Sequence, residues 1–440
     1  LGDPKNRQML IFYELVVALN PTWSLLENVA DIFKFPSSWA GIYGRFAISR
    51  NIEMGYQCRP GFIVAGDFGV AQYRLRCFIW GAKRGHTLPG FPMPTHRAVR
   101  RNTVMPVELS GCRVRAPADR RLWREVRMGD ILQDFPSITN DEKRDEMAYE
   151  GRNPQFAAEI QRDSKERGTV YSEPKRVLEY YRRGAGKVLY NHIPLAMNPD
   201  DKFRAEHIPF KKSADWSSLG ELSKDKRSTV RFFKWHAEKD NNVYGEKLPP
   251  GDGRDPTKCI VPQYAVNSRV KNRGYKHALG RAWWDEIYPT CICRMQIHSH
   301  KNQHPAQPRS FSAREYARMQ GFPDTHFLMG PPDKKFEQVG NAVCARVAAA
   351  IGKAFLIGIF EGTPSIGQQH NPSGLVEIEA PPAADDIDCV IGPDGATDGD
   401  QDVETELADE KELIEGDESA DGVSDDDDDD DDGISPKGRG

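Results

Sequence analysis

Residues 69–82 read Gly69-Val70-Ala71-Gln72-Tyr73-Arg74-Leu75-Arg76-Cys77-Phe78-Ile79-Trp80-Gly81-Ala82. The second half is an apolar run of strand length, rich in aromatic residues, and the sequence predicts a strand over residues 76–82. Arg74 and Arg76 stand two apart, so an extended backbone would put both on one face. A partner strand is expected over residues 56–65, joined to the first by the Gly-containing residues 66–73. Working back toward Leu1, residues 43–54 read as a helix that Gly55 stops. Residues 23–26 read as a short buried strand that runs straight into Glu27. Residues 5–19 carry Met9, Phe12, Val16 and Leu19 at helical spacing, and Asn20-Pro21 ends that helix. Helix and strand in alternation indicate an α/β layer structure.

In the other direction, residues 97–180 are rich in charge and turn residues and read as irregular connections with short helices. Residues 181–308 interleave Trp216, Trp235, Trp283 and Trp284 with Lys and Arg. That pattern suits base stacking and phosphate contact, and equally an ordinary small domain with little secondary structure. Ser312-Ala313-Arg314-Glu315 reads as a capping box, and Gly321 and Pro323 end the helix it opens. Residues 343–360 are apolar and alanine-rich, a buried helix. From about residue 361 the chain turns Pro/Gly-rich and then acidic, ending in eight consecutive aspartates at 425–432. Such a stretch buries too little apolar surface to offset chain entropy, so a disordered acidic tail is expected over 361–440.

The 440 residues leave room for two compact domains and more. The chain carries 65 acidic and 60 basic residues, and residues 361–440 hold 27 and 3 of them. The remaining 38 acidic and 57 basic residues make residues 1–360 strongly cationic. A body of that charge suits a polyanion such as nucleic acid, or is a basic surface kept soluble by its own acidic tail. Eight scattered cysteines without a CxxC pair fit reduced thiols better than a disulfide framework. No unbroken apolar run of spanning length occurs, so no membrane span is expected, and no secretory signal order is visible.

Four segments, taken together and in order, are specific. They are Lys5-Asn6-Arg7-Gln8 leading to Leu25-Leu26-Glu27-Asn28-Val29; residues 69–82; Arg309 to Ser312 with Glu315 and Ala317-Arg318-Met319-Gln320-Gly321-Phe322-Pro323-Asp324; and Gln338-Val339-Gly340-Asn341-Ala342-Val343. They resemble the ENV, QxRxR, RxxSxxExAR-Q-FPD and QVGNAV motifs of DNA (cytosine-5)-methyltransferases. Residues 72–82, 140–149, 189–195 and 283–290 are similar to plant chromomethylases within that family. The resemblance covers about residues 5–360.

It implies the C-terminal part of a Rossmann-like methyltransferase domain. Residues 1–180 would hold the catalytic half-sheet and its connections, 181–308 an inserted target-recognition domain, and 309–360 the helices that return to complete the catalytic domain. The implied reaction moves a methyl group from S-adenosylmethionine to C5 of a cytosine flipped out of double-stranded DNA. In the family a cysteine thiolate adds to C6 and makes C5 nucleophilic. Glu27 would protonate or hydrogen-bond N3 of the ring, which needs a raised pKa. Arg76 would lie near O2, with Arg74 in support. Asn28, Asn341, Ala342 and Val343 would line the methyl donor's pocket, and Gln72 and Arg309 are expected on the DNA side, Arg309 through the helix that supports the recognition domain. Read from the residues alone, Glu27 is more commonly an ion-paired strand-end carboxylate, Arg74 a phosphate or surface partner, and Asn341 a helix N-cap.

The family's glycine-rich donor turn and Pro-Cys-Gln nucleophile would precede Glu27, and neither motif is present. The expectation is therefore a fragment, inactive alone, whose missing half lies upstream or on another chain. Half a sheet of this kind would also carry exposed edges. Chromatin-reading domains upstream would add nucleosome or histone-tail partners, a nuclear location and a role in gene silencing. A non-catalytic DNA- or chromatin-binding module is the competing reading. No metal is expected: Cys291, Cys293, His298, His300 and His304 match no standard zinc spacing. Gly184-Ala185-Gly186-Lys187 lacks the full spacing of a phosphate loop.

Overall fold

The computed structural model describes residues 7–33, 41–97, 107–169, 171, 174–216, 218–219, 247–262, 277–298 and 300–360, with the strand pair 375–376. All of these fall in the unit formed by residues 1–398. Lys5, Asn6, Trp235, Cys389 and the aspartate run at 425–432 lie outside the described residues, as does almost all of 361–440.

The central feature is a three-stranded antiparallel sheet in the order β1-β3-β2, formed by β1 (Trp23–Val29), β2 (Tyr56–Val64) and β3 (Leu75–Lys83). The register pairs Glu27 with Phe78 and Val29 with Arg76 on one side of β3, and Phe62 with Cys77 on the other. Alternation then sorts the side chains onto two faces. Leu26, Phe62, Cys77 and Ile79 pack with Met9 and Tyr13 of α1 (Arg7–Leu19) and Ala47 of α2 (Ile42–Glu53). The Tyr13 hydroxyl donates to Ala47 O at 2.8 Å and accepts from Asn51 at 2.9 Å, which fixes the two helices together. Leu19 is 74% exposed, so the apolar stripe expected for α1 is corrected: Tyr13 takes the inward place, because Met9, Tyr13 and Val16 share the face turned to the sheet.

The remaining elements follow in chain order. The strands are β4 (Phe91–Pro92), β5 (Glu146–Ala148), β6 (Val188–Tyr190) and β7 (Leu375–Val376). The helices are α3 (Met128–Leu132), α4 (Pro154–Arg167), α5 (Pro174–Arg182), α6 (Pro199–His207), α7 (Ala313–Met319), α8 (Pro332–Asn341) and α9 (Ala345–Phe360). On the second face of the sheet, Ile63, Phe78 and Trp80 pack with Val347, Ala350 and Ile351 of α9, and Trp80 stacks on Phe355. Helices on both sides of a sheet make the mixed α/β layering that the sequence implied.

A second core joins Met128, Ile131, Phe135 and Phe156 to Trp284, Tyr288, Phe311 and Tyr316, so residues far apart in sequence share one interior. A third, smaller core gathers Ile208, Trp216, Leu248, Ile260 and Leu279. The stretch 97–180 is more regular than its composition suggested. The 14-residue α4 is opened by Asn153, which caps the Gln155 and Phe156 amides, with Pro154 in the first turn, and is closed by Gly168 at φ 65°. Among the described residues one helical stretch, Pro332–Phe360, is long and apolar enough to cross a membrane, with a mean hydropathy of 1.9 over its best window. Arg346 and Lys353 break the apolar run without lowering the window enough. Within this stretch Val347, Ala350, Ile351 and Ala354 are buried.

Candidate active site

Glu27 and Arg76 meet on one face of the sheet. They are diagonal neighbours across β1 and β3, and Arg76 Nε lies 3.3 Å from Glu27 Oε1. Their side chains keep 29% and 16% exposure, so the pair is reachable from solvent. Burial raises the Glu27 carboxyl above its usual range, while Arg76 and then Arg74 pull it down; burial wins. A protonatable carboxyl held beside a guanidinium can offer a proton, a hydrogen-bond acceptor and a positive charge to one planar polar ring.

Arg74 immediately precedes β3, and its side chain is buried. Nη1 donates to Cys291 O at 2.8 Å, and Nη2 donates to Gly340 O at 2.8 Å and Ala342 O at 3.2 Å. The guanidinium ties down the loop between α8 and α9, while its charge still acts on the Glu27 carboxyl. The reading of Arg74 as a surface or phosphate partner falls for that reason.

Gln72 and Arg309 are also corrected as DNA contacts. Gln72 is fully buried; its side chain donates to Met319 O at 3.2 Å and accepts from the Cys291 amide at 2.6 Å. Arg309 is fully buried in a two-pronged ion pair with Glu315, at 2.8 and 2.7 Å. Neither has a face left for a nucleic acid. Burial would lift the Glu315 carboxyl, but Arg309, with His304 and His192, holds it well below the usual carboxylate range. Glu315 completes the capping box with Ser312, as its spacing predicted.

The donor-pocket candidates occupy two places. Asn28 lies at the carboxyl end of β1, its side chain accepting from the Val29 amide at 2.8 Å. Asn341 closes α8 rather than opening a helix, which overturns the N-cap reading; its Oδ1 accepts from Cys293 Sγ at 2.7 Å. The break at Ala342–Cys344 separates α8 from α9, so the helix expected from 343 begins at Ala345. Gln320 donates to Ala342 O at 2.6 Å, and Val343 packs on the core that contains Phe78. A Cβ at Gly340 would stand 2.5 Å from Cys293 N, so only glycine lets α8 come this close to the segment around Cys293.

Sequence reasoning missed the segment that holds these pieces together. Residues 71–74 run beside 288–291: Tyr73 donates to Tyr288 O at 2.8 Å, Tyr288 donates to Ala71 O at 3.0 Å, and Thr290 Oγ1 donates to Tyr73 O at 3.0 Å. Tyr316 donates from its hydroxyl to Ile292 O at 3.1 Å and accepts from the Ile292 amide at 2.7 Å. Thr290 ended a quoted segment, but nothing in its type marked it as a brace. Among the described residues no three His, Cys, Asp or Glu side chains gather as a metal site. Cys293 bonds Asn341, His298 bonds Asp201 at 2.8 Å, and His304 sits in the Arg309–Glu315 cluster.

The model for C-5 cytosine-specific DNA methylases matches residues 2–356. DNA (cytosine-5)-methyltransferase CMT1 of Oryza sativa subsp. japonica is 35% identical over 94% of this chain and 36% of its own length. CMT3 of Arabidopsis thaliana is 36% identical over 80% of this chain and 39% of its own. DNA (cytosine-5)-methyltransferase 3 of Zea mays is 37% identical over 86% of this chain and 38% of its own. The chain therefore spans less than two fifths of the length of these plant relatives, which fits the resemblance to chromomethylases. Four ordered motifs, three of them brought to one end of the sheet, and a match along most of its length make this chain a member of the C-5 cytosine-specific DNA methylase family.

Proposed function

We propose that this chain supplies the base-binding part of a DNA (cytosine-5)-methyltransferase that methylates C5 of a cytosine flipped out of duplex DNA. The observation that carries the reading is the Glu27–Arg76 contact at 3.3 Å, half-buried and on one face. Glu27, with its raised carboxyl, donates to ring N3 while Arg76 takes the O2 side and neutralises charge that gathers on the ring. Arg74 is a positioning residue: it fixes the Gly340–Ala342 carbonyls and so sets the depth of the site.

S-adenosylmethionine supplies the electrophilic methyl group when bound. Asn28 follows Glu27 on β1, and the end of α8 at Asn341 with the break at Ala342–Cys344 would border the donor. Those features fit a donor with a polar and an apolar end. The chemistry also needs a thiolate and a glycine-rich donor turn, which the longer protein would bring as the other part of the site.

Residues 1–180 with 309–360 form the catalytic part in this proposal, and 181–308 the target-recognition domain that grips double-stranded DNA; the separate core around Trp216 and Leu279 favours a distinct unit over 208–279, while Trp284 and Tyr288 pack with the catalytic part. The setting is the nucleus, with histone or nucleosome contacts through further domains and gene silencing as the outcome.

The test is methyl transfer to duplex DNA by a protein that carries both parts of the site. Glu27→Gln should lower turnover about 100-fold or more while DNA retention in a gel shift is kept. Unchanged turnover would remove Glu27 from the mechanism, and lost retention with lost turnover would instead make it a structural residue.

A further inference from the structure

The tryptophans that residues 181–308 interleave with Lys and Arg turn inward: Trp216 and Trp284 are buried, and Trp283 donates from Nε1 to Asp163 at 2.7 Å. Among the described residues of that stretch one aromatic ring is exposed instead, that of Phe210, at 49%. It stands on the turn that follows α6. One face of the ring lies on Arg281, whose guanidinium carbon is 4.0 Å from the ring centre. Arg281 is fully buried, so the exposure of Phe210 belongs to the side of the ring turned away from it.

Arg281 also holds the turn itself. Its side chain donates to Ile208 O at 3.0 Å and Pro209 O at 3.1 Å, just before Phe210, and its backbone amide donates to Ala214 O at 2.8 Å, just after. Between these ties the Lys211 amide donates to Pro209 O at 2.9 Å, and Ser213 takes φ 63°, a left-handed conformation that favours glycine. The ring is thus presented rigidly, and little freedom remains to be lost on contact. Charge points the same way. The other donors of Arg281 go to Ala205 O, His304 O and Gln307 O, so every bond runs to a carbonyl and none to a carboxylate. Burial pushes Arg281 down to about 9, which still leaves it charged at neutral pH. A cation beneath the ring draws its electrons inward, and the outer face then suits an electron-rich planar partner.

We propose that Phe210 is a stacking platform for a nucleobase, the point at which residues 181–308 meet DNA through a base face and not a phosphate. In a duplex that face is reached at an opened step, as when a neighbouring base has left its stack. Every base has a π face, so Phe210 adds affinity without choosing a sequence. The inference rests on the DNA-binding reading of residues 181–308 and not on the Glu27–Arg76 chemistry. An apolar side chain of a protein partner is the competing occupant. The unneutralised cation behind the ring and the cationic balance of residues 1–360 favour the base.

Two measurements on the full chain test it. The unmodified protein is irradiated with duplex DNA that carries one mismatched 5-iodouracil, a base that links on irradiation to an aromatic ring stacked on it. Mass spectrometry should map the link to Phe210; links only at other residues overturn the proposal. The second measurement is duplex affinity by fluorescence anisotropy. Phe210→Leu keeps the apolar bulk and removes the π face, so it should weaken binding about 10-fold with far-UV circular dichroism unchanged. The slope of log Kd against log salt should stay the same, because no phosphate contact is lost. Phe210→Trp should bind as tightly as the unmodified chain. Equal affinity for Phe210→Leu overturns the platform and leaves the ring to a protein partner; a shallower salt slope overturns it in favour of a phosphate contact. An unmodified chain that holds no duplex DNA would remove the DNA reading of residues 181–308 as well, while Glu27 is judged separately by methyl transfer.

Discussion

The guanidinium of Arg74 lies 2.8 Å from Gly340 O and 2.8 Å from Cys291 O, so one side chain binds three stretches of a long chain at a single point. Arg74→Ala would strip that partner from both carbonyls in a buried place, while Ala342 O would keep its bond from Gln320. Each buried group without its partner costs about 1–3 kcal/mol, so a loss of about 3 kcal/mol or more is expected in urea unfolding. Arg74→Lys can restore one of the three bonds and should recover part of it. A loss below about 1 kcal/mol for Arg74→Ala would show that the loop holds itself.

Arg76 offsets the burial that raises Glu27. Arg76→Met should therefore move the Glu27 titration further up. The sign for stability follows. A carboxyl raised by folding contributes stability below its unfolded pKa and loses it as pH rises through the folded value. The variant's loss should extend to higher pH than that of the unmodified chain. Carboxyl-carbon NMR across pH 3–8 reads both the position and the direction; an unmoved or lowered titration would mean that Arg76 does not act on Glu27.

Glu315 has the opposite sign. Its carboxyl is held low in the fold, so it contributes stability above the ordinary carboxylate pKa that is lost as pH falls through the folded value. Glu315→Gln leaves Arg309 buried with half its partner gone, at a cost of about 3–5 kcal/mol near neutral pH. The gap between variant and unmodified chain should narrow as pH drops from 6 to 3. Urea midpoints at several pH values test this, and a gap that widens in acid would contradict the ion-pair account.

Gly340→Ala places a methyl group 2.5 Å from the Cys293 amide nitrogen and the Ile292 carbonyl carbon. Both are backbone atoms, so relief requires moving α8. A cost of about 1–3 kcal/mol is expected, seen as a lower thermal midpoint. Gly352→Ala, on α9 with nothing near its would-be Cβ, should be neutral or slightly stabilising and serves as the control.

Much of the sheet was legible because its signals are local. The apolar run at 76–82 and its partner at 56–65 became β3 and β2 with shifts of one residue at their ends. Ser312 and Glu315 formed their capping box for the same reason: the motif needs only four residues. The Glu27–Arg76 contact also follows from adjacent strands. What escaped the sequence was set at long range. The partners of Arg74, Cys291 O and Gly340 O, lie far along the chain and left no local signal of its burial. Gln72 and Arg309 sat inside motifs, yet residue type does not reveal burial, and both point inward. Asn341 has the side chain of a cap but terminates α8, whose opening Pro332 was the overlooked cue.

The brace between residues 71–74 and 288–291 bears on how the molecule acquires its form. Glu27 and Arg76 can meet once β3 has emerged, whereas the partners of Arg74 follow 217 and 266 positions later. Such separated pairings carry a large loop-closure entropy and belong to high contact order. During synthesis the acidic and basic groups would thus be adjacent well before the floor beneath them is rigid. A nascent chain that stalls ahead of Gly340 would hold a correctly paired but loosely seated Glu27–Arg76 couple.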